Sequence, residues 1–253
     1  MAVGGMPQAI ETFLETNNLE KTDNVKQKII ELYKQDLKKI DPSGRLSDIY
    51  SSVPEQLASK KRHFSITAAT GKKVSIKDQE RIFALIDSQI VLPCYNVNQV
   101  SLTLTQERKV GDFKLYLSDI GLFTSLIFSD VGDKDIYKKL LSDKLCADLG
   151  YLYENAMAQI IASEGRSLYY HSWRKNESTH SYEVDFIIVS SMKIIPIEVK
   201  SSSTRFHASI DALCEKYSNI IGRRILFSQK DVSHDGMLEF KPIYMAPFLM
   251  QEL

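Results

Sequence analysis

The residues best placed to do chemistry lie between positions 183 and 200, where the chain runs Glu-Val-Asp-Phe-Ile-Ile-Val-Ser-Ser-Met-Lys-Ile-Ile-Pro-Ile-Glu-Val-Lys. Apolar residues recur with a period of two on each side of Ser191-Met192, which predicts two strands. If they form a hairpin turning at Ser191-Met192, paired positions sum to 383, so Asp185 faces Glu198 and Glu183 faces Lys200. Ser-Met is not a favoured two-residue turn, and a longer loop with the same register fits equally well. A slip by one residue would drive Asp185 onto the apolar face, so the register is well constrained. Two facing carboxylates, with Cβ atoms roughly 5 Å apart, repel each other unless a positive charge lies between them. A divalent cation answers that need, and Lys200, one strand period beyond Glu198, adds a positive charge beside it. The alternative is an exposed face on which the carboxylates are simply solvated and Glu183 pairs weakly with Lys200.

The elements that must position this pair come from the rest of the chain. With 253 residues, 43% of them hydrophobic, the chain can build one large domain or two small ones, and two are expected. Cys94, Cys146 and Cys214 match no zinc or redox spacing and read as buried thiols of a reducing compartment. No apolar run is long enough to cross a bilayer and no signal-peptide pattern opens the sequence, so a cytoplasmic protein without membrane contact is expected. The formal net charge is zero, which excludes a globally basic nucleic-acid binder and requires any such surface to be local.

In chain order, Gly4-Gly5-Met6-Pro7 leads into a short amphipathic helix, and residues 22–40 predict a helix capped by Thr22 or Asp23 with Val25, Ile29, Leu32, Tyr33, Leu37 and Ile40 at helical spacing. Further helices are expected at 45–51 and from Pro54 to about Lys60, followed by the basic turn Lys60-Lys61-Arg62-His63. A short strand at 64–68 comes next, then a helix from Ile76 to Ser88 with Ile82, Phe83, Leu85 and Ile86 buried. Strands at Val91–Val97 and Phe113–Leu117 flank a polar loop at 105–112. This is the element order of a winged helix-turn-helix, in which Lys72, Lys73 and Lys77 would contact phosphates from the recognition helix, and Arg108 and Lys109 from the wing. Such folds are also frequent protein-interaction modules.

After a connector at 124–144, Leu145, Leu149, Leu152, Ala156 and Ile160 predict a long helix from Leu145 to Ala162. Glu154 lies near the edge of its buried face, where a carboxylate can reach a sheet edge or remain on the surface. A strand over Ser167–Trp173, the hairpin, a helix over about 205–220 and strands at 223–228 and 238–244 complete the chain. Together they predict an α/β protein whose mixed sheet carries helices on its faces.

Glu154, Asp185 and Glu198-Val199-Lys200 resemble the PD-(D/E)xK nuclease superfamily, which implies a restriction-endonuclease-like fold. Gly4-Gly5-Met6-Pro7, the stretches LYLSDIGLF at 115–123, GYLYENAMAQII at 150–161, EVDFIIV at 183–189 and IPIEVKSS at 195–202 resemble, almost end to end, the C-terminal half of a bacterial and archaeal AAA-type ATPase family. There an ATPase module precedes a winged-helix-like segment and a nuclease-like domain of unassigned function. The resemblance implies an ATPase remnant at 1–19, a winged-helix-like domain at 20–123 and a nuclease-like domain at 124–253. It also implies Mg²⁺ or Mn²⁺ held by Asp185, Glu198, the Val199 carbonyl and Glu154, with Lys200 orienting water or stabilising phosphate charge, and Trp173 and Arg174 near a DNA strand. DNA and a separate ATPase chain are the partners it suggests. No P-loop is present, since Gly71-Lys72 is followed by Lys73 and lacks the earlier glycine, so no ATP hydrolysis is expected. The chain reads as a piece of the longer protein or as the product of a split gene. A module that binds DNA or protein without cutting is the competing reading.

Overall fold

The computed structural model describes residues 1–59, 63–129, 137, 149–175, 180–201 and 207–253. The chain forms two compact units: Met1–Leu92 with Leu115–Ala147, and Pro93–Lys114 with Asp148–Leu253. The architecture is α/β, with helices in the N-terminal part and mixed sheets in the C-terminal part.

The first unit contains α1 (Pro7–Thr16), α2 (Leu19–Ile40), α3 (Arg45–Ala58), α4 (Ile66–Thr70), α5 (Ile76–Asp87) and α7 (Ile120–Ile127). Ile30 and Leu37 of α2, Ile49, Tyr50 and Val53 of α3, Leu85 of α5 and Phe123 of α7 are buried. Four expectations are corrected here. The α2 cap is Asn18, whose side chain accepts from the Lys21 amide. The buried face of α2 runs through Thr22, Lys26, Ile30 and Leu37, leaving Leu32 and Ile40 exposed, because buried Lys26 rotates the stripe from where apolar residues alone place it. The two helices expected at 45–60 are one, Pro54 lying inside it. The strand expected at 64–68 is α4, started by the Ser65 side chain accepting from Ala68 and stopped by left-handed Gly71. The basic turn at 60–62 lies outside the described residues.

Gly4-Gly5 and Asp119-Ile120-Gly121, distant in sequence, meet in this unit. The Gly5 amide donates to Asp119 Oδ2 at 2.6 Å, while Oδ1 caps α7 by accepting from the Leu122 amide. A Cβ on Gly4, whose φ is +85°, would lie 2.5 Å from Asp119 Oδ1, and one on Gly121 would lie 2.5 Å from the Val3 carbonyl oxygen. Only glycine permits this close approach.

The second unit holds the two sheets. The first, in order β2-β1-β3-β4, is built from β1 (Val91–Val97), β2 (Arg108–Leu117), β3 (Leu168–Arg174) and β4 (Ser181–Val184). The strands expected to flank a wing therefore belong to a larger sheet, β1 pairing parallel to β3. The short helix α6 (Leu104–Glu107) occupies part of the expected polar loop. The second sheet, in order β5-β6-β7-β9-β8, contains β5 (Phe186–Ser190), β6 (Lys193–Val199), β7 (Arg224–Ser228), β8 (Ser233–Asp235) and β9 (Leu238–Pro242). The long helix is α8 (Gly150–Ser163). The parallel crossover from β6 to β7 runs through α9 (Ala208–Lys216), and α10 (Ala246–Glu252) closes the chain. The expected extensions to Leu145 and Phe206 lie outside the described residues. Ile187, Ile194, Ile210, Leu213 and Leu226 form the centre of this core.

Candidate active site

Strands β5 and β6 are antiparallel, pairing Phe186 with Ile197 and Ser190 with Lys193, the register that sums to 383. The turn is Ser191-Met192, with φ of 49° and 60°. Both residues are thus left-handed, as a tight primed hairpin turn demands even of residues that do not favour it. Asp185 sits at the break between β4, which pairs with β3, and β5, which pairs with β6. At that break its carboxylate replaces a strand partner: Oδ2 accepts the Val199 amide at 2.8 Å.

Asp185 is 9% exposed and Glu198 1% exposed, so these are not solvated surface carboxylates. Glu198 Oε1 accepts the Ile210 amide at the start of α9, at 3.1 Å. Its Oε2 is buried, accepts no hydrogen bond among the described residues, and faces Lys200 Nζ at 3.4 Å. Burial pushes the Glu198 carboxyl up to about 7, with Lys200 lowering it and Asp185 raising it. Burial alone would lower the Lys200 ammonium, but Asp185, Glu198 and Glu154 together raise it.

The expected pairing of Glu183 with Lys200 is corrected: Glu183 Oε1 is 2.6 Å from Lys114 Nζ. The reason is the break at Asp185, which gives Glu183 to the other sheet, opposite Ser172. Lys114, on β2, is the residue that sequence reasoning missed. It is 5% exposed and its Nζ also lies 3.8 Å from Glu154 Oε2 and 5.1 Å from the centre of the Tyr170 ring. Despite full burial, Glu154, Glu183 and Asp185 raise its ammonium above the ordinary value, so it stays charged. An isolated Lys within the apolar run Phe113-Lys114-Leu115-Tyr116-Leu117 was the available signal.

The site therefore joins Glu154, Glu183, Asp185 and Glu198 with Lys114 and Lys200. Among the described residues no three His, Cys, Asp or Glu side chains are grouped to hold an ion unaided. What could hold a hard cation is narrower: Asp185, the Glu198 Oε2 that faces Lys200, and the Val199 carbonyl. Strand alternation places that carbonyl on the same edge as the Val199 amide bonded to Asp185. Glu154 is instead engaged by Lys114.

The other expected contact residues do not converge here. Lys72, Lys73 and Lys77 are exposed in the first unit, around the start of α5. Arg108 is exposed and stacks its guanidinium over Tyr95 at 5.4 Å, and Lys109 is half-buried; both belong to the second unit. Arg174 is exposed at the end of β3. In α5, Ile82 and Leu85 are buried as expected, but Phe83 is 53% exposed because it points away from that face, as does Ile76 at 82%. Cys94 and Cys214 are buried free thiols, and Cys146 lies outside the described residues. No helix of the described residues is long and apolar enough to cross a membrane.

No curated protein matches the chain. Among solved structures, the chain resembles the crystal structure of protein VC1899 from Vibrio cholerae at 12% identity and a TM-score of 0.29, covering 99% of this chain and 58% of that one. It thus spans less than two thirds of that protein's length. Residues 149–245, which contain every acidic residue of the site, match a second Domain of unknown function (DUF4143). Residues 1–134 match Domain of unknown function (DUF8612), and over that larger part of its length the chain belongs to the DUF8612 family.

Proposed function

We propose that the second unit is a nuclease-like domain of restriction-endonuclease type, hydrolysing phosphodiesters with Mg²⁺ or Mn²⁺ and working beside an AAA-type ATPase chain. The observation that carries this reading is the burial of Asp185, immediately before β5, and of Glu198, on the neighbouring β6, with Lys200 Nζ at 3.4 Å from Glu198 Oε2. Holding such carboxylates out of water costs several kcal/mol, a cost that a purely structural pair of strands has no reason to bear. Asp185, Glu198 and the Val199 carbonyl would hold the ion, which when bound supplies an activated water and offsets phosphate charge. Lys200 then orients that water or holds the phosphate oxygen on which charge builds, while Lys114 keeps Glu154 and Glu183 in place. In the reaction the water releases one proton to solvent as its oxygen forms a bond to phosphorus, while the bond to the leaving sugar oxygen breaks and that oxygen takes up a proton.

The test is incubation of the full chain with linear, branched and single-stranded DNA in Mg²⁺ or Mn²⁺. Cleavage that disappears in Asp185→Asn is the expected result. No cleavage by wild type, or cleavage that survives the substitution, would reject the proposal.

The first unit has a second reading. Its α3, α4 and α5 would be the helical part of a winged-helix-like module, but Ile76, next to Lys77, and Phe83, about two turns further along α5, are exposed. Exposed apolar side chains at that position favour a protein partner over duplex phosphates. Charge reversal at Lys72 and Lys73 should weaken DNA binding across all sequences if the module reads phosphates, and leave it unchanged if it docks protein.

A further inference from the structure

The opposite face of the β3–β4 ribbon has a different character. Glu183 and its partner Ser172 point to the acidic side, so alternation sends Trp173, its partner Tyr182 and His171 to the other side. There the His171 and Trp173 rings stack at 5.0 Å and 17°, and Trp173 meets Tyr182 at 5.3 Å. A cleft of about 560 Å³ lies between this ladder and α9, within the range of about 300–1,000 Å³ usual for ligand sites. Among the described residues Trp173, Arg174, Lys175, Tyr182 and Lys216 line it, together with acidic Glu215. Trp173 and Tyr182 are half-buried and the three cations are exposed. Lys175 Nζ lies 5.5 Å over the Tyr182 ring.

His171 anchors the ladder. Its Nδ1 lies 2.9 Å from the Val97 carbonyl oxygen, and burial lowers its imidazole below the ordinary value, so it stands as a neutral ring beneath Trp173. Among its described lining residues three cations stand against one carboxylate, an excess of positive charge in a chain of zero net charge. A half-buried aromatic platform rimmed by cations suits a polyanion whose repeating units carry a flat ring, because bases stack on the platform and phosphates meet the rim. A duplex keeps its bases stacked on each other and offers only phosphate.

We infer that this cleft binds single-stranded nucleic acid, one or two unpaired bases stacking on Trp173 and Tyr182 while Arg174, Lys175 and Lys216 hold the flanking phosphates. In naming a single-stranded substrate it rests on the nuclease reading, whereas the binding is measured apart from cleavage.

Trp173 is the chain's single tryptophan, so emission excited beyond the absorption of tyrosine reports on this cleft. The full chain is titrated with an oligothymidylate of about ten nucleotides, in the range of single-strand site sizes, at low salt with chelator present. The expected result is saturable quenching, weakened about tenfold in Tyr182→Ala. Exposed Lys216→Glu, which leaves the platform intact, should weaken binding and flatten its salt dependence. An abasic oligomer of equal charge and a blunt duplex should quench far less. Asp185→Asn should bind as wild type does, and a wild type that binds the oligomer but cuts no DNA would sink the nuclease reading and leave this one standing. Absent quenching, equal quenching by the abasic oligomer, or a Lys216→Glu variant that binds unchanged would overturn the inference.

Discussion

Each unit buries a lysine, and the two are solved differently. Lys26 of the first unit is fully buried, donates to the Ala2 carbonyl at 2.7 Å and to Tyr137 Oη at 3.3 Å, and pairs with Asp23 at 3.3 Å. Burial wins there, lowering its ammonium below the ordinary value. Lys114 of the second unit is almost as buried, yet the carboxylates around it win and raise its ammonium. Lys26 ties the segment at Ala2 to α2 with its hydrogen bonds satisfied. Lys114 sits among three carboxylates, Glu154, Glu183 and Asp185. A surplus of buried charge is the mark of a site built for something besides stability.

Substitution should separate the two regions. The largest effect is expected for Lys114→Met, which leaves Glu154 and Glu183 without their buried cation and should cost about 3–5 kcal/mol in denaturant unfolding. Adding Glu183→Gln should recover a good part of that loss, and strict additivity of the two would show that they do not act as a pair. Lys26→Met should cost less, about 1–3 kcal/mol, since it strands chiefly the Ala2 carbonyl while Asp23 keeps its bonds from Ser125 and Tyr137. Equal losses for both lysines would erase the distinction.

A subtler difference is pH dependence. The Glu198 carboxyl is raised from 4.5 to about 7 by burial, so the folded state holds its proton more tightly than the unfolded state does. Stability from this group is present below about 4.5 and is lost as pH climbs through about 7. Glu198→Gln should remove that slope and be at least as stable as wild type above pH 7, as followed by thermal melts. A variant less stable than wild type at pH 8 would mean that the carboxylate is structurally required.

Part of this was legible in the sequence. Alternation on both sides of Ser191-Met192 determined the hairpin register, because a slip would have put Asp185 on the apolar face. The strand Val91–Val97 and the helix from Ile76 were equally clear from pattern. Lys114 was not, since its meaning depends on Glu183, 69 residues away, and on a break in the strand at Asp185 that no local pattern marks. Ser65, with Gly71 after it, was a cap signal that the apolar stretch beside it obscured. The membership of β1 and β2 in a sheet with β3 is a long-range pairing, which local order disguised as a wing.

The most direct test of the central claim is the thermal shift on adding Mn²⁺ to the full chain and to Asp185→Asn and Glu198→Gln. Ion at a hundred times its dissociation constant stabilises a folded site by about 2.7 kcal/mol. Wild type should melt several degrees higher with Mn²⁺, and both variants should show no such gain while melting without metal at or above the wild-type temperature. A wild type indifferent to Mn²⁺, or variants that keep the shift, would contradict the account of Asp185 and Glu198 as a cation site.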